Sequence, residues 1–221
     1  MVFLFWPEDY HLPTKLLTTQ PSSKAKKATT VVIAVRYKDP STCQHRHQLS
    51  THRHKGLKHQ SSPVCAYYGE DGSNSRTYSA NPGDYKLLEE VGYGASATVY
   101  RAIYLPFNEV VAVKCLDLDR CNSNFDDIRR EAQTMHLIDH PNVVRSYCSF
   151  VVERNLWVIM PFMAEGSCLH LMKIAYPDGF EESAIGSVLK ETLKALVYLH
   201  KQGHIHRDVK AGNIFADTNG W

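Results

Sequence analysis

The amino-acid sequence predicts an α+β protein in which an antiparallel sheet carrying one helix precedes a mainly helical part. Three observations carry this reading. Short β-branched runs, "EVVAVKCLDL" foremost, follow one another between residues 85 and 160 with turn signals between them. One segment of helical period, "NSNFDDIRREAQTMHLIDH", interrupts them. A longer one, "EESAIGSVLKETLKALVYLHKQG", follows them, and strands succeeded by helices fit the α+β class.

The 221 residues suffice for one large or two small domains. Hydrophobic residues at 43% and charged residues at 22% are ordinary for a globular chain. Net charge is +2 but uneven: residues 1–84 carry 11 Lys/Arg against 6 Asp/Glu, and residues 85–221 carry 14 against 17. Neither balance demands nucleic acid, and no specific nucleic-acid partner is expected. The 6 cysteines are scattered without a C-x-x-C pair, which suits free thiols in a reducing compartment. The apolar run in "MVFLFWPED" is too short for a secretory signal or a membrane span, so the chain reads as soluble and cytoplasmic, with no membrane partner.

Residues 1–80 read as a disordered basic leader rich in Ser, Thr and His. Only "TTVVIAVRY" (Thr29–Tyr37) has strand character, and it has no obvious partner. Ordering a backbone costs roughly 1–2 kcal/mol per residue, more than so little apolar surface offsets. In "CQHRHQLSTHRHKGLKH" five histidines (His45, His47, His52, His54, His59) sit among basic residues. Two H-x-H pairs could share a metal ion, but zinc-finger spacing is absent and the stretch reads as a solvated basic tail. A transit peptide is the other reading of this acid-poor region, with Glu8 and Asp9 against it. "SANPGDY" (Ser79–Tyr85) marks the boundary.

From Tyr85 onward each element has a local reason. "YKLLEEVGYGASATVYRAIYL" reads as strand, glycine loop and strand, and "EVVAVKCLDL" as a buried strand. The first helix has a capping box at Ser123 and Asp126, an apolar stripe of Phe125, Ile128, Ala132, Met135 and Ile138, and Pro141 to end it. "NVVRSYCSFVVERNLWVIM" gives two strands around a Glu153–Asn155 turn. The long helix places Ile185, Val188, Leu189, Thr192, Leu196 and Leu199 on one face, with Gly203 as its C-terminal cap. "ADTNGW" reads as a hairpin tip turning at Asn219-Gly220.

Three constellations carry chemistry. Gly92-Tyr93-Gly94-Ala95-Ser96-Ala97-Thr98-Val99 lets backbone N–H groups approach a phosphate closely. A Walker loop lacks its G-K-[ST], and a dinucleotide fingerprint lacks the helix after the glycines. Lys114 ends the apolar strand Val110-Val111-Ala112-Val113, and Glu131 shares the first helix's apolar stripe. A buried carboxylate needs a cation, so a Lys114–Glu131 pair would satisfy both groups and turn the lysine toward a bound anion; a helix-edge glutamate with an exposed head is the other reading. In the closing loop, Asp208 can orient a hydroxyl and take its proton, Lys210 can neutralise phosphoryl charge, and the Asn213 carbonyl oxygen suits a hard metal such as Mg²⁺.

Taken in order, G-Y-G-A-S-A-T-V, V-A-V-K, Glu131, H-P-N-V-V and H-R-D-V-K-A-G-N resemble a eukaryotic protein kinase over Tyr85–Trp221. "LLEEVGYGASATVYRA", "HPNVVRSYCSF" and "LWVIMPFMAEGS" are similar to the sterile-20-like serine/threonine kinases, and nearest to the oxidative-stress-responsive (Fray-like) group with its plant relatives. The resemblance implies a complete small lobe (85–160), a hinge (161–163) and the start of a helical large lobe (164–221). It implies ATP and Mg²⁺ as cofactors. The backbone around Gly92 and Gly94 would cover the phosphates, Val91 would line the nucleotide site, Val99 and Ala112 would pack on adenine, and Lys114, oriented by Glu131, would hold the α- and β-phosphates. Met160 would be the gatekeeper and Met163 the hinge N–H donor, while Pro161 keeps the carbonyl its position requires. Asp208 would be the base, Lys210 would mark serine or threonine as acceptor on a protein substrate, and Asn213 would bind metal.

Two departures qualify this. Ala97 stands at the third glycine, a cost of about 1–2 kcal/mol if that backbone is left-handed. The D-F-G triplet of such kinases falls beyond Trp221, so the chain reads as truncated and is expected to lack substantial activity. The alternative is a non-catalytic fragment that binds nucleotide or a regulatory protein partner through surfaces left uncovered.

Overall fold

The computed structural model describes residues 30–33, 77–94, 96–121 and 125–217. The histidine-rich stretch, the capping box at Ser123 and the turn at Asn219-Gly220 lie outside the described residues, as do the side chains of Phe125 and Asp126. The elements are β1 (Thr30–Ile33), β2 (Tyr85–Tyr93), β3 (Ala97–Tyr104), β4 (Glu109–Asp117), α1 (Phe125–Leu137), β5 (Cys148–Val152), β6 (Asn155–Pro161), α2 (Cys168–Ile174), α3 (Glu182–Lys201) and β7 (Ile214–Asp217). Among the described residues no helix is long and apolar enough to cross a membrane.

Strands β2 to β6 form one antiparallel sheet in the order β2-β3-β4-β6-β5. Strand β4, in the middle, is buried on both faces from Val111 to Lys114, which is why its sequence carries the apolar run Val110-Val111-Ala112-Val113. Its even positions Ala112 and Leu116 pack with Ile128, Ala132 and Met135 of α1. Its odd positions Val111 and Val113 meet an aromatic layer of Tyr78, Tyr85, Tyr104 and Tyr147. The period of two thus sorts one strand's side chains into two separate cores.

The aromatic layer is closed by the end of the leader. Tyr78 stacks flat on Tyr147 at 4.2 Å, meets Tyr104 at 5.1 Å, and donates its hydroxyl to the Glu109 carboxylate at 3.0 and 3.1 Å. Burial, reinforced by Tyr147 and Glu109 beside it, raises the Tyr78 hydroxyl above the ordinary phenol range. The chain then turns through Pro82–Asp84, where the Asn81 side chain accepts the Gly83 N–H, and enters β2.

Helix α3 terminates as its sequence predicts. Gly203 adopts φ +78, its N–H reaches the His200 carbonyl, and the His204 N–H reaches Leu199. These paired bonds close the last turn, and the left-handed backbone favours glycine. The buried side of α3 is Thr192, Ala195 and Leu199, with Val188 and Leu196 half-buried. Ile185 and Leu189 fall instead on a second stripe with Leu193 and Val197, all four between 43% and 59% exposed. Two apolar stripes on one helix blur its period, which is why the pattern merges them.

The strand without a predicted partner has one: Thr30–Ile33 runs antiparallel to Ile214–Asp217. Ile33 is fully buried with Ile138, Val143, Ala195, Leu199 and Ile214. This second, two-stranded sheet and α3 form the base beneath the closing loop.

The aromatic layer makes a quantitative prediction. Tyr78→Ala removes a stacked ring and should lower unfolding free energy by about 3 kcal/mol in a denaturant titration. Tyr78→Phe, which keeps the ring and loses the hydroxyl bond, should cost about 1 kcal/mol. Equal losses for the two would contradict the stacking account.

Candidate functional site

Strand register brings the first group of residues together. Gly92 pairs with Val99, Val99 with Lys114, and Lys114 with Val158, so one row crosses four strands. In the adjacent row Ala112 pairs with Met160. Paired residues of antiparallel strands share a face, so Val99, Ala112, Lys114 and Met160 are all on the α1 side of the sheet. Val91, Val99, Ala112, Met160 and Met163 belong to one buried cluster. Gly94 is exposed at the β2–β3 turn, where its N–H bonds to the Ala97 carbonyl at 2.7 Å. Ala97 itself is not among the left-handed residues, so alanine at the third glycine position carries no backbone strain.

Lys114 is only 1% exposed. Lysine is almost never buried so deeply unless partners compensate its charge, and a desolvated ammonium is a strong attractor for an anion. Glu131 lies in α1, whose Ile128, Ala132 and Met135 face the sheet; the Glu131 side chain is outside the described residues.

The second group is held by the closing loop. The Asn213 amide donates from Nδ2 both to the backbone carbonyl of Asp208 and to its Oδ2, each at 2.9 Å. Lys210 Nζ stands 3.5 Å from the same Oδ2. The Asp208 N–H bonds to Nδ1 of His206, a ring buried to 1% exposure. Between these two residues Arg207 adopts φ +64, a left-handed conformation that costs an ordinary residue about 1–2 kcal/mol. Such strain persists only where surrounding bonds fix it, and here His206 and Asn213 fix both flanks of the turn. The carboxylate of Asp208 is therefore held by Asn213 and Lys210, while His206 anchors the backbone that carries it.

One atom of this loop points to a metal. Asn213 is fully buried, its Nδ2 is used, and its Oδ1 has no hydrogen-bond partner. A buried carbonyl oxygen without a donor is costly, and a hard cation that prefers oxygen ligands would relieve it. The donor set thus fits Mg²⁺ through Asn213, although no group of three or more His, Cys, Asp or Glu gathers among the described residues.

The two groups meet through Phe215. This residue follows Asn213 by two positions, is fully buried, and joins the cluster of Val91, Val99, Ala112, Met160 and Met163. Sequence reasoning omits Phe215 and His206. The signal for Phe215 is its place in a strand beginning directly after Asn213, and for His206 its place in the H-R-D triplet. On the hinge side, Arg101 pairs with Glu89 at 2.9 Å and lies 5.7 Å over the Phe162 ring.

Comparison with known proteins agrees with this geometry. A family model described as "Protein kinase domain" matches residues 85–221. The chain is 50% identical over 146 residues to serine/threonine-protein kinase fray2 of Dictyostelium discoideum, covering 66% of this chain and 14% of that protein. It is 43% identical over 148 residues to germinal center kinase 3 of Caenorhabditis elegans, covering 63% of this chain and 25% of that one. It is also 38% identical over 141 residues to STE20-related kinase adapter protein alpha of Mus musculus, covering 62% and 33% respectively. The matched region thus spans a third or less of each of these relatives.

Two cysteines near the site supply a test by pH. Burial pushes the Cys115 thiol up to about 12 and the Cys168 thiol up to about 11. A thiol unfolds to about 8.5, so the folded state disfavours thiolate, and stability intact below that pH declines as pH rises toward 11 and 12. Replacing both by alanine should lessen the alkaline loss of stability, to which the raised Tyr78 hydroxyl also contributes, and iodoacetamide at pH 7.5 should leave the buried Cys168 thiol of the native chain unmodified by mass spectrometry. Rapid native alkylation of Cys168 would contradict its burial.

Proposed function

Since the chain belongs to the protein kinase family, we propose that its cleft binds ATP with Mg²⁺ and is built to transfer a phosphoryl group to serine or threonine of a protein substrate. The observation that carries this is the Asp208–Asn213 pair: a carboxylate aimed by the Asn213 amide, with the Asn213 carbonyl oxygen buried and without a donor. The similarity to serine/threonine-protein kinase fray2 supports the choice of acceptor.

In this reading residues 85–160 are a small lobe, 161–163 a hinge and 164–221 the first part of a large lobe. Adenine enters the cluster of Val91, Val99, Ala112, Met160 and Met163, with Phe215 as the opposite wall and the Met163 N–H as donor. The backbone at Gly92 and Gly94 lies over the phosphates, and Lys114, oriented by Glu131, attracts them. Mg²⁺, when bound through Asn213, neutralises phosphate charge. Asp208 orients the acceptor hydroxyl and receives its proton as the new bond forms, and Lys210 balances the charge on the transferred group. Positioning and electrostatics make up nearly all of this catalysis, so the loop's rigidity matters more than the basicity of Asp208.

Among the described residues this reading assigns one metal ligand, Asn213, and the 221 residues contain no D-F-G triplet. We therefore expect the polypeptide itself to bind nucleotide while transferring phosphate slowly. A second reading, a binding module without catalysis that docks a regulatory protein, is favoured by the similarity to a STE20-related kinase adapter protein.

The test is a paired measurement on the 221-residue chain. ATP with Mg²⁺ should raise its melting temperature, Lys114→Met should abolish the shift, and phosphorylation of a generic protein substrate should stay near background. Robust transfer lost in Asp208→Asn would overturn the expectation of a slow chain. No nucleotide shift at any concentration would overturn the ATP site and favour the docking reading.

A further inference from the structure

We propose that Thr30–Ile33 is a self-docking strand that clips the closing loop in place, and that its seat is a site for one extended apolar strand at a time. Both edges of β1 are engaged. On one side it pairs with β7 from Thr30 opposite Asp217 to Ile33 opposite Ile214. On the other, the Ile33 N–H donates to the Asn142 carbonyl at 2.8 Å, and the Val144 N–H donates to the Ile33 carbonyl at 3.0 Å. The strand therefore ties the connection that follows α1 to the strand that follows Asn213.

Side-chain burial makes the seat selective. Ile33 is fully buried against Val143, Ala195, Leu199 and Ile214, so the seat accepts an apolar residue there and rejects a charge. The opposite edge of β7 is already used, because the Ala216 N–H bonds to the Gly166 carbonyl and Phe215 bridges to Ser167. With both edges of β7 occupied, any other strand reaches β7 only by displacing β1. Docking and release of β1 then form a two-state element next to Asn213, the residue that aims Asp208.

The experiment uses the full chain. In the double variant Val31→Cys, Ala216→Cys, mild oxidation should form a 31–216 disulfide identified by peptide mass mapping, because these residues are register partners. Separately, Ile33→Asp should speed amide hydrogen exchange at Asn213 and Ile214–Ala216 by about a hundredfold while Val113 and Ile159 of the five-stranded sheet stay protected. Unchanged exchange at Ile214–Ala216 in that variant would overturn the proposal. Should Ile33→Asp unfold the whole chain, the disulfide decides alone: its formation in the otherwise native chain supports the docked strand, and its absence overturns it.

Discussion

The burial of one ammonium group organises this molecule. Lys114 is held at 1% exposure in the centre of a five-stranded sheet, and such a position is tolerable only inside a precise electrostatic setting. The antiparallel register across β2, β3, β4 and β6 supplies the position, because Gly92, Val99, Lys114 and Val158 occupy a single row. The alternation of β4 supplies the direction, since the same period that places Val111 and Val113 in the aromatic layer turns Lys114 to the opposite face. A shift of one residue in that register would send the ammonium into the layer of Tyr78, Tyr85 and Tyr104, where nothing charged belongs.

The closing loop is rigid for a different reason. Its geometry comes from hydrogen bonds rather than packing: His206 holds the Asp208 N–H, Asn213 holds the carboxylate, and Arg207 takes the strained backbone between them. Phe215 then joins this loop to the sheet face that bears Lys114. The buried Lys114 and the held carboxylate thus belong to two structural units sharing one buried cluster, as the proposed transfer between two bound molecules requires.

Much of this was legible in the residues, and the exceptions have physical causes. The sheet could be read because β-branched alternation and the glycine turn are local signals, and α3 because twenty residues average over its period. The pairing of Thr30–Ile33 with Ile214–Asp217 could not be read: a strand's sequence shows that it wants a partner, and a partner some 180 residues away leaves no local mark. Tyr78 was missed for a similar reason, as one aromatic residue in a polar stretch has no period to announce its burial. Helix α2, seven residues with a Ser167 cap, is too short for its period to register. Among the candidate site residues, the motifs single out Asp208, Lys210 and Asn213, whereas only geometry shows that the Asn213 amide gives its N–H to Asp208 and keeps a buried oxygen without a hydrogen-bond donor.

The central claim is that Lys114 and the Asp208–Asn213 pair address the same bound phosphates. Its most direct test is an experimental structure of the chain with Mg²⁺ and a non-hydrolysable ATP analogue. The account predicts adenine between Ala112 and Phe215, phosphate oxygens on Lys114 Nζ, and the metal on Asn213 Oδ1. A nucleotide bound elsewhere, or a metal that leaves Asn213 Oδ1 untouched, would contradict it.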